Sequence, residues 1–368
     1  MKEELLNKIE ELKKLFTPYK RPTLDTGQLE AVWEKSKTTL VLAGAGTGKT
    51  AVITEKIQNL LAKGVDPEKI LAITYTKKAA AEMERRVQNK NIQISTIHAF
   101  CYKLLKECEP KETLEEIRAK FSTGRGFDEL ITRATKLLKT IETRFEYILV
   151  DEYQDIDEDQ HKLIKLLAKG HNLFVVGDDY QAIYGFRGSK VKFITKFQDY
   201  YPESTTVNLT HNYRVPKNIF AMAEKVISQN KKQIHKEIKT IKKDGTIKNL
   251  SWLNEWKEAE GIIAEIKTLD CPLEEIAILY RHHKRAEVIK VIAKMHELPH
   301  STDRKVKNGV SFLTCHSAKG LEFDTVFLLD NHKKSFTKKN MDEEEERRVQ
   351  YVALTRAKER LYLSSTQC

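Results

Sequence analysis

The segment VLAGAGTGKT, residues 41–50, places a lysine and a threonine directly after a glycine-rich turn. Glycines in such a turn allow backbone N–H groups to close around phosphate oxygens. Lys49 is predicted to bridge the β- and γ-phosphates of ATP, and Thr50 to hold Mg²⁺. The residues predicted to surround the phosphates are Ala45, Gly46, Thr47, Gly48, Lys49 and Thr50. A glycine-rich turn with a chance lysine is the alternative, and Ala43 departs from the first glycine of the usual GxxxxGK[ST] pattern.

A second run, YILVDEYQD, ends an apolar segment with two carboxylates. Residues 147–150 predict a buried strand, and carboxylates that follow such a strand lie at the ligand-binding edge of a parallel sheet. Asp151 is predicted to orient Mg²⁺ through water, and Glu152 to polarise the water that attacks the γ-phosphate. Taken alone, such a strand is as often purely structural, but together with the phosphate loop it indicates ATP hydrolysis.

The arginine-bearing run EEERRVQYVALTRAKERLYL contains Arg356 and lies about three hundred residues after the phosphate loop. An arginine so distant in sequence can reach the γ-phosphate only if a second domain folds over the nucleotide. The two segments therefore predict a nucleotide-binding site to which both halves of the chain contribute. Such a site is more typical of a motor protein than of a simple kinase.

The elements around the phosphate loop fit this chemistry. Residues 39–42 are an apolar run typical of a buried strand, and a helix is predicted over residues 51–61 with Ile53, Ile57, Leu60 and Leu61 on one face. The loop thus lies between a strand and the N-terminus of a helix, where the helix dipole favours a bound anion.

Ten strings along the chain carry a family resemblance. They are LDTGQLEAV, VLAGAGTGKT, ITYTKKAAAEM, STIHAF, VDEYQD, VVGDDYQAIYGFRGS, LTHNYR, IAILYR, FLTCHSAKGLEFDTVFLL and the arginine run. In order, spacing and identity they resemble the superfamily 1 helicases of the UvrD/Rep/PcrA type, over roughly residues 22–366. The resemblance implies two tandem RecA-like α/β domains, in which parallel sheets are flanked by helices.

The resemblance also implies contacts to the nucleotide. Gln28 would read the adenine, Tyr213 would stack on it, and Glu322 would contact the ribose. Gly320 lies in the same nucleotide-binding string as Glu322.

Further roles at the γ-phosphate are implied for two arginines and two glutamines. Arg214 and Arg356 would act as arginine fingers, and Gln154 and Gln181 would couple the γ-phosphate to the nucleic-acid site. Taken singly, each arginine would more often be a solvated surface residue.

A nucleic-acid track is predicted from aromatic residues interleaved with polar ones. Tyr75, Tyr184 and Phe186 are predicted to stack on successive bases. The resemblance adds contacts to backbone and bases along the same groove, from Thr96, His98, Arg187, Thr314 and His316. The net charge of +11 and the pI near 9.1 fit a polyanionic partner. The lysine-rich stretches at residues 231–248 and 333–339 are interpreted as solvated faces.

Three positions depart from the family pattern. Lys77 stands where the family usually has Asn, Tyr180 where it has Asp, and Phe186 where it has a base-stacking Trp. An aromatic face persists at Phe186, so stacking is expected to persist as well.

The predicted domains are residues 1–208, which bind ATP, and residues 209–368. The first would carry an amphipathic helix over about residues 1–20 and a reduced insertion over about residues 105–140. The second is predicted to have strands over residues 276–280, 310–314, 325–329 and 361–363. Its helix over residues 286–295 would place Val288, Ile292 and Met295 on one face, and its own family insertion is essentially absent. Since these insertions contact duplex DNA in the family, their reduction puts strand separation in doubt more than translocation.

Composition and cysteine spacing argue against a membrane protein and against a protein with a metal cluster. No run approaches the roughly 20 apolar residues that span a bilayer, so a membrane protein is not expected. The five cysteines have neither CxxC spacing nor a paired framework, which predicts reduced thiols in a cytoplasmic protein without zinc or an iron–sulfur cluster.

The leading functional hypothesis is an ATP-dependent translocase or helicase on single-stranded DNA, with 3′→5′ direction implied by the resemblance. The alternative is an ATP-gated nucleic-acid-binding subunit that regulates a nuclease or a replication or defence partner without unwinding DNA alone. A protein partner that supplies processivity or nuclease activity is compatible with both. A small-molecule kinase would leave the second-domain strings and the aromatic residues unexplained.

Overall fold

The computed structural model describes residues 21–109, 115–117, 119, 125–302, 307–330 and 342–367. The predicted helix over residues 1–20 and the lysines at 333–339 lie outside these ranges. Within them the chain forms two compact units. The first contains residues 21–42, 48–177 and 196–208, and the second contains residues 43–47, 178–195 and 209–367.

The first unit is built on a six-stranded sheet in the order β3-β2-β4-β5-β1-β6, with every pair parallel. Its strands are β1 (Thr38–Leu42), β2 (Ile70–Thr74), β3 (Gln93–Thr96), β4 (Tyr147–Val150), β5 (Asn172–Gly177) and β6 (Thr205–Asn208). The five residues of β2 are all buried, as expected for a parallel sheet covered on both faces. The sheet therefore presents the carboxyl ends of its strands at one edge.

The second unit repeats this plan with the order β11-β12-β10-β13-β14-β9, again parallel throughout. Its strands are β9 (Thr246–Trp252), β10 (Ile276–Tyr280), β11 (His300–Ser301), β12 (Val310–Thr314), β13 (Phe323–Leu329) and β14 (Ala357–Thr366). A separate parallel pair joins β7 (His211–Asn212) to β8 (Lys239–Thr240). Two parallel sheets flanked by helices confirm the predicted fold class.

Helices connect the strands, as parallel pairing requires. They are α1 (Thr26–Trp33), α2 (Lys49–Ala62), α3 (Lys77–Val87), α4 (Ile97–Cys108), α5 (Arg125–Leu137), α6 (Glu158–Leu167), α7 (Lys192–Thr195), α8 (Phe197–Tyr200), α9 (Lys217–Ile227), α10 (Glu255–Thr268), α11 (Glu287–Met295) and α12 (Glu343–Leu354). In the described part of the chain, none is long and apolar enough to cross a membrane.

The predicted strands at residues 39–42, 147–150, 276–280 and 310–314 are confirmed to within one residue. The predicted face of α11 is confirmed at Ile292, which is buried, and at Val288, which packs against the same core cluster, but it is wrong at Met295, which is 71% exposed. Ile289 and Ala293 are buried as well. The buried stripe is shifted because α11 packs against α10 in the cluster that contains Ile262.

Candidate nucleotide and nucleic-acid sites

The second half of the phosphate loop belongs to the first unit. Gly48 has φ +85°, which favours glycine, and α2 begins at the next residue, Lys49. A Cβ on Gly48 would lie 2.6 Å from the side-chain nitrogen of Gln28. Gln28 is buried and completes a capping box with Asp25, whose carboxylate accepts the Gln28 N–H at 2.7 Å. The structure thus brings Gln28 beside the loop, while its predicted contact with adenine stays a prediction.

Two carboxylates follow β4 at the carboxyl edge of the same sheet. The Asp151 backbone N–H donates to the Ile73 carbonyl at 2.8 Å, and Asp151 Oδ1 accepts the Glu152 N–H at 2.9 Å. Burial and the neighbouring Glu152 raise the pKa of Asp151, and the Lys49 ammonium opposes this rise. Lys49, Asp151 and Glu152 are therefore close enough to influence one another.

The chemistry of these groups fits Mg²⁺. The Asp151 carboxylate and the Thr50 hydroxyl are hard oxygen donors of the kind that this ion prefers. The surroundings of Asp151 disfavour its ionised form, and a nearby cation would stabilise that form.

Glu152 adopts a left-handed backbone conformation, with φ +53°. For a residue other than glycine this costs roughly 1 kcal/mol or more. Its carboxylate accepts a hydrogen bond from the Gln154 amide, and Gln154 is fully buried. The turn therefore sets the orientation of the Glu152 carboxylate, the predicted catalytic base. Gln154, one of the two glutamines predicted to couple the two sites, holds this carboxylate in place.

The first half of the phosphate loop, residues 43–47, belongs to the second unit. Gly46 has φ +75°, and its carbonyl accepts the Tyr213 N–H at 2.9 Å. A Cβ at this position would lie 2.2 Å from Asn212 Oδ1 and 2.9 Å from the Arg214 Cβ. Thr47 braces the turn, since its hydroxyl donates to the Gly44 carbonyl at 3.1 Å. The segment 212–214 thus packs directly on the loop.

Asn212 was missed by sequence reasoning. It is fully buried, and its side-chain oxygen accepts the N–H groups of Arg214 and Val215, each at 3.0 Å. Its amide donates to Thr240 Oγ1 at 3.1 Å. The string HNYR already contained a signal for this role, because asparagine side chains often close turns by bonding to backbone N–H groups one to three residues later.

The guanidinium of Arg214 is only partly satisfied. Its NH1 lies 3.4 Å from the Glu322 carboxylate. Its Nε and NH2 are buried, and no acceptor among the described residues lies within hydrogen-bond distance. Buried N–H donors without acceptors are costly, so this arrangement fits a phosphate oxygen as the missing acceptor.

Arg356 is surrounded differently. It is 1% exposed, and its guanidinium donates to the carbonyls of Val352 and Leu321 at 2.9 and 3.0 Å and to Thr355 Oγ1 at 3.1 Å. It therefore anchors the segment that carries Glu322, just before β13. Its predicted role as an arginine finger would require these bonds to break and stays a prediction.

A buried cluster of ion pairs adjoins the side chain of Gln181. The Lys236 ammonium lies 2.5 Å from Asp178, 2.7 Å from Asp179 and 2.9 Å from the Ala43 carbonyl. Asp178 in turn accepts the Gln181 side-chain amide at 2.5 Å. Burial alone would lower the pKa of Lys236, but the two carboxylates raise it. The interpretation of residues 231–248 as a solvated face is therefore wrong at Lys236, because its carboxylate partners are distant in sequence.

The predicted nucleic-acid residues of the first unit follow neighbouring strands. Tyr75 comes directly after β2, and Thr96 ends β3 and caps α4 by accepting the Ala99 N–H at 3.3 Å. His98 packs edge-on against Phe127 at 5.3 Å. Burial lowers the pKa of His98, which favours the neutral ring. Since β2 and β3 pair, these side chains lie along one edge of the sheet.

The aromatic loop, residues 184–187, carries the other predicted stacking residues. The rings of Tyr184 and Phe186 lie 6.1 Å apart, and the Arg187 guanidinium lies 5.2 and 5.4 Å from them. Phe186 is 65% exposed and packs edge-on against His316 at 5.3 Å. The loop therefore presents an aromatic surface to solvent.

An open cleft of about 610 Å³ adjoins this loop within the second unit. Its lining includes Phe186, Arg187, Arg281, His282, Thr314 and His316, together with the carboxylates of Asp342, Glu345 and Glu346. Glu346 pairs with Arg281 at 2.5 Å. The predicted residues Thr314 and His316 are thus brought to the same cleft as Phe186.

Comparisons with known proteins agree with this architecture. The profile of the AAA domain matches residues 28–187, and that of the UvrD-like helicase C-terminal domain matches residues 207–304 and 291–368.

Several bacterial proteins are similar over most of the chain. A protein named YjcD from Bacillus subtilis is 30% identical over 374 residues, which cover 77% of this chain and 49% of YjcD. The ATP-dependent DNA helicase PcrA of Staphylococcus epidermidis is 31% identical over 387 residues, covering 79% of this chain and 53% of PcrA. The chain spans about half the length of the curated relatives it matches. Among solved structures, that of PRRSV helicase is 13% identical with a TM-score of 0.47, and the match covers 92% of this chain and 54% of the other.

Proposed function

The chain belongs to the superfamily 1 helicases of the UvrD/PcrA type, and on this premise we propose that it is an ATP-dependent motor that moves along single-stranded DNA in the 3′→5′ direction. The observation that carries the proposal is the grouping of Lys49, Asp151 and Glu152 at the carboxyl edge of the first sheet. These groups supply what phosphoryl transfer to water needs.

In the proposed reaction Lys49 binds the β- and γ-phosphates, and the N–H groups around Gly48 hold phosphate oxygens. Mg²⁺ held through Thr50 and Asp151 would neutralise charge on the phosphates. Glu152 takes the proton of the attacking water. Arg214 donates from its Nε and NH2 to the phosphoryl oxygens as negative charge develops on them.

The track for single-stranded DNA is proposed to run over Tyr75, Thr96 and His98, which belong to the first compact unit, and over the aromatic loop, Thr314 and His316, which belong to the second. Stacking on an exposed ring such as Phe186 is worth roughly 1–3 kcal/mol per base and tolerates any sequence. A motor that steps along DNA needs this tolerance. We assign residues 1–208 and 209–368 to the two domains of the motor.

The test is steady-state ATP hydrolysis with and without single-stranded DNA, compared with duplex DNA and single-stranded RNA at two salt concentrations. Single-stranded DNA is expected to raise turnover at least about tenfold, which corresponds to about 1.4 kcal/mol in the barrier. Lys49→Ala and Glu152→Gln should abolish most turnover, whereas Lys63→Ala, at the exposed end of α2, should not. ATP binding without stimulated turnover would contradict the proposal and favour an ATP-gated binding subunit.

A further inference from the structure

Helix α1, which carries Gln28, is bound at its C-terminal end by a buried lysine of α2. The Lys56 ammonium donates to the Val32 carbonyl at 3.1 Å and to the Glu34 carbonyl at 2.6 Å. Val32 belongs to the last turn of α1, and Glu34 is the residue that caps it. Lys56 itself is 8% exposed. All four residues belong to the first unit.

The positive charge of Lys56 faces main-chain carbonyls. Burial and the nearby Lys63 lower the pKa of Lys56 to about 8, so the side chain is mostly an ammonium at pH 7. The Glu34 carboxylate is turned away, since it accepts the N–H groups of Lys35 and Ser36, each at 2.8 Å. Carbonyls at the end of a helix carry partial negative charge and lack intrahelical donors, so a cation stabilises them there.

The position of α1 depends on such contacts. The helix has only eight residues, and an isolated helix of this length is marginal in water. Just beyond it, the hydroxyls of Ser36 and Thr205 share a hydrogen bond of 2.7 Å, which joins the end of α1 to β6. Lys56 and this bond together fix the C-terminal end of α1 between α2 and β6.

Gln28 lies one helical turn before the carbonyls that Lys56 binds. The four residues from Gln28 to Val32 span about 6 Å of helix. Gln28 is 4% exposed, and a Cβ on Gly48 would lie 2.6 Å from its side-chain nitrogen. Because Gln28 and Gly48 are in such close contact, a small rotation of α1 would move Gln28 relative to the phosphate-binding residues of α2.

We propose that Lys56 positions Gln28 for recognition of the adenine base and thereby contributes to the affinity of the site for ATP over ligands without a nucleoside. The inference rests on the proposed ATPase activity and on the predicted contact between Gln28 and adenine. Lys56 acts through α1 and not by contact with ATP, because its ammonium binds the end of the helix that follows Gln28. Binding of the phosphates themselves should not depend on it.

The test compares two ligands that share three phosphates and differ in the nucleoside. The nucleoside factor is the Kd for inorganic tripolyphosphate divided by the Kd for a non-hydrolysable ATP analogue, both measured by calorimetry with Mg²⁺ on the full chain. Lys56→Met removes the ammonium and keeps an apolar side chain beside Phe174. It should lower the nucleoside factor at least about fivefold and leave the Kd for tripolyphosphate within about twofold of the wild type.

A double-mutant cycle tests whether Lys56 acts through Gln28. Gln28→Glu keeps an acceptor for the Asp25 N–H of the capping box and removes the side-chain N–H groups. It should lower the nucleoside factor by itself, and the addition of Lys56→Met should lower it little further, because both substitutions act on one contact. Losses that multiply in the double variant would overturn the proposal.

Matched variants separate positioning from general damage. Lys56→Arg retains a cation for the two carbonyls and should keep most of the nucleoside factor that Lys56→Met loses. Lys63→Met removes an exposed lysine one residue beyond α2 and should keep the wild-type factor. If Lys56→Met does not fold, Lys56→Gln replaces it, and it should lower the factor as well, since its shorter side chain lacks the charge.

The outcomes distinguish this inference from the proposed function. If the wild type binds the ATP analogue no more tightly than tripolyphosphate and hydrolyses no ATP, the proposed function fails, and the inference fails with it. If the wild type hydrolyses ATP and Gln28→Glu lowers the nucleoside factor while Lys56→Met and Lys56→Gln keep it, only the inference is overturned. A wild-type factor in Gln28→Glu also overturns it, because Lys56 would then have no contact to position.

Discussion

The two arginines assigned to the γ-phosphate differ in what surrounds their guanidinium groups. Arg214 has buried N–H groups for which the described residues offer no acceptor, whereas Arg356 is hydrogen-bonded on Nε, NH1 and NH2. A group that acts only in the transition state must be free to meet the charge that develops there. Arg214 meets this condition as it stands, and Arg356 meets it only after its bonds rearrange.

Substitution of each arginine by alanine should separate these situations. Arg214→Ala should lower kcat about 10³-fold or more, with little change in the free energy of unfolding. Arg356→Ala should lower kcat and also destabilise the fold, because the carbonyls of Val352 and Leu321 lose their donor. Turnover and urea unfolding of both variants are the measurements. If Arg356→Ala left turnover untouched, a nucleotide site shared by two halves of the chain would be wrong.

A second residue-scale prediction concerns His316. Burial and the nearby Arg281 lower its pKa from 6.5 to about 4. Between these values the unfolded chain binds a proton that the folded chain does not, so the stability contributed by the neutral ring is lost as pH falls from 6.5 toward 4. The free energy of unfolding of the wild type, relative to His316→Asn, should fall by about 1–3 kcal/mol between pH 7 and pH 4.

Urea unfolding at each pH measures this difference. His235→Asn removes an exposed histidine and serves as the control. If instead the free energies of unfolding of the wild type and of His316→Asn differ by the same amount at pH 7 and at pH 4, the surroundings of His316 do not hold its ring neutral.

At the residue scale, sequence motifs predict Lys49, Asp151 and Glu152 as a group, because the roles proposed for them depend on local spacing after a strand. They do not lead to Lys236. A lysine in a charged stretch acquires its structural importance from partners that are distant in sequence, here Asp178 and Asp179. Such pairings are set by tertiary packing, which local spacing does not encode.

At the scale of elements, the strands were the most predictable feature. Buried parallel strands are short apolar runs followed by polar or charged residues. β4, followed by Asp151, and β10, followed by Arg281, fit this pattern. The face of α11 was less predictable, since Ala293 and Met295 are both apolar and only packing against α10 decides which is buried. When apolar residues lie on several faces of a helix, its sequence alone does not show which face is buried.

An element-scale prediction concerns the segment that joins α9 to β8. Its Lys236 ties this segment to the phosphate loop and to the residues after β5. Lys236→Met should cost about 3–5 kcal/mol of unfolding free energy, because two buried carboxylates lose their cation. Adding Asp178→Asn and Asp179→Asn to this variant should recover part of the loss. Urea unfolding is the measurement.

Lys248→Met provides the control from the same lysine-rich stretch. Lys248 pairs with Glu265 at 2.7 Å, but at the surface, where such pairs contribute little. Equal stability of Lys236→Met and Lys248→Met would contradict the buried cluster.

At the scale of the whole molecule, each of the two α/β units carries some of the residues proposed to act in ATP hydrolysis or in DNA binding. The first contains Lys49, Asp151 and Glu152, and the second contains Arg214 and the aromatic loop. The alternation of strands and helices predicted this repetition from the sequence. The net charge of +11 suits a protein that tracks a polyanion. The proposal that the protein is a motor requires that ATP hydrolysis produce movement along DNA.

The most direct test of that claim is displacement of streptavidin from biotinylated single-stranded DNA. Wild-type protein with ATP should displace streptavidin from a 5′-biotin faster than from a 3′-biotin, since movement is proposed to run 3′→5′. Lys49→Ala should displace neither. DNA-stimulated ATP hydrolysis without displacement from either end would contradict the motor and leave an ATP-gated DNA-binding subunit as the better account.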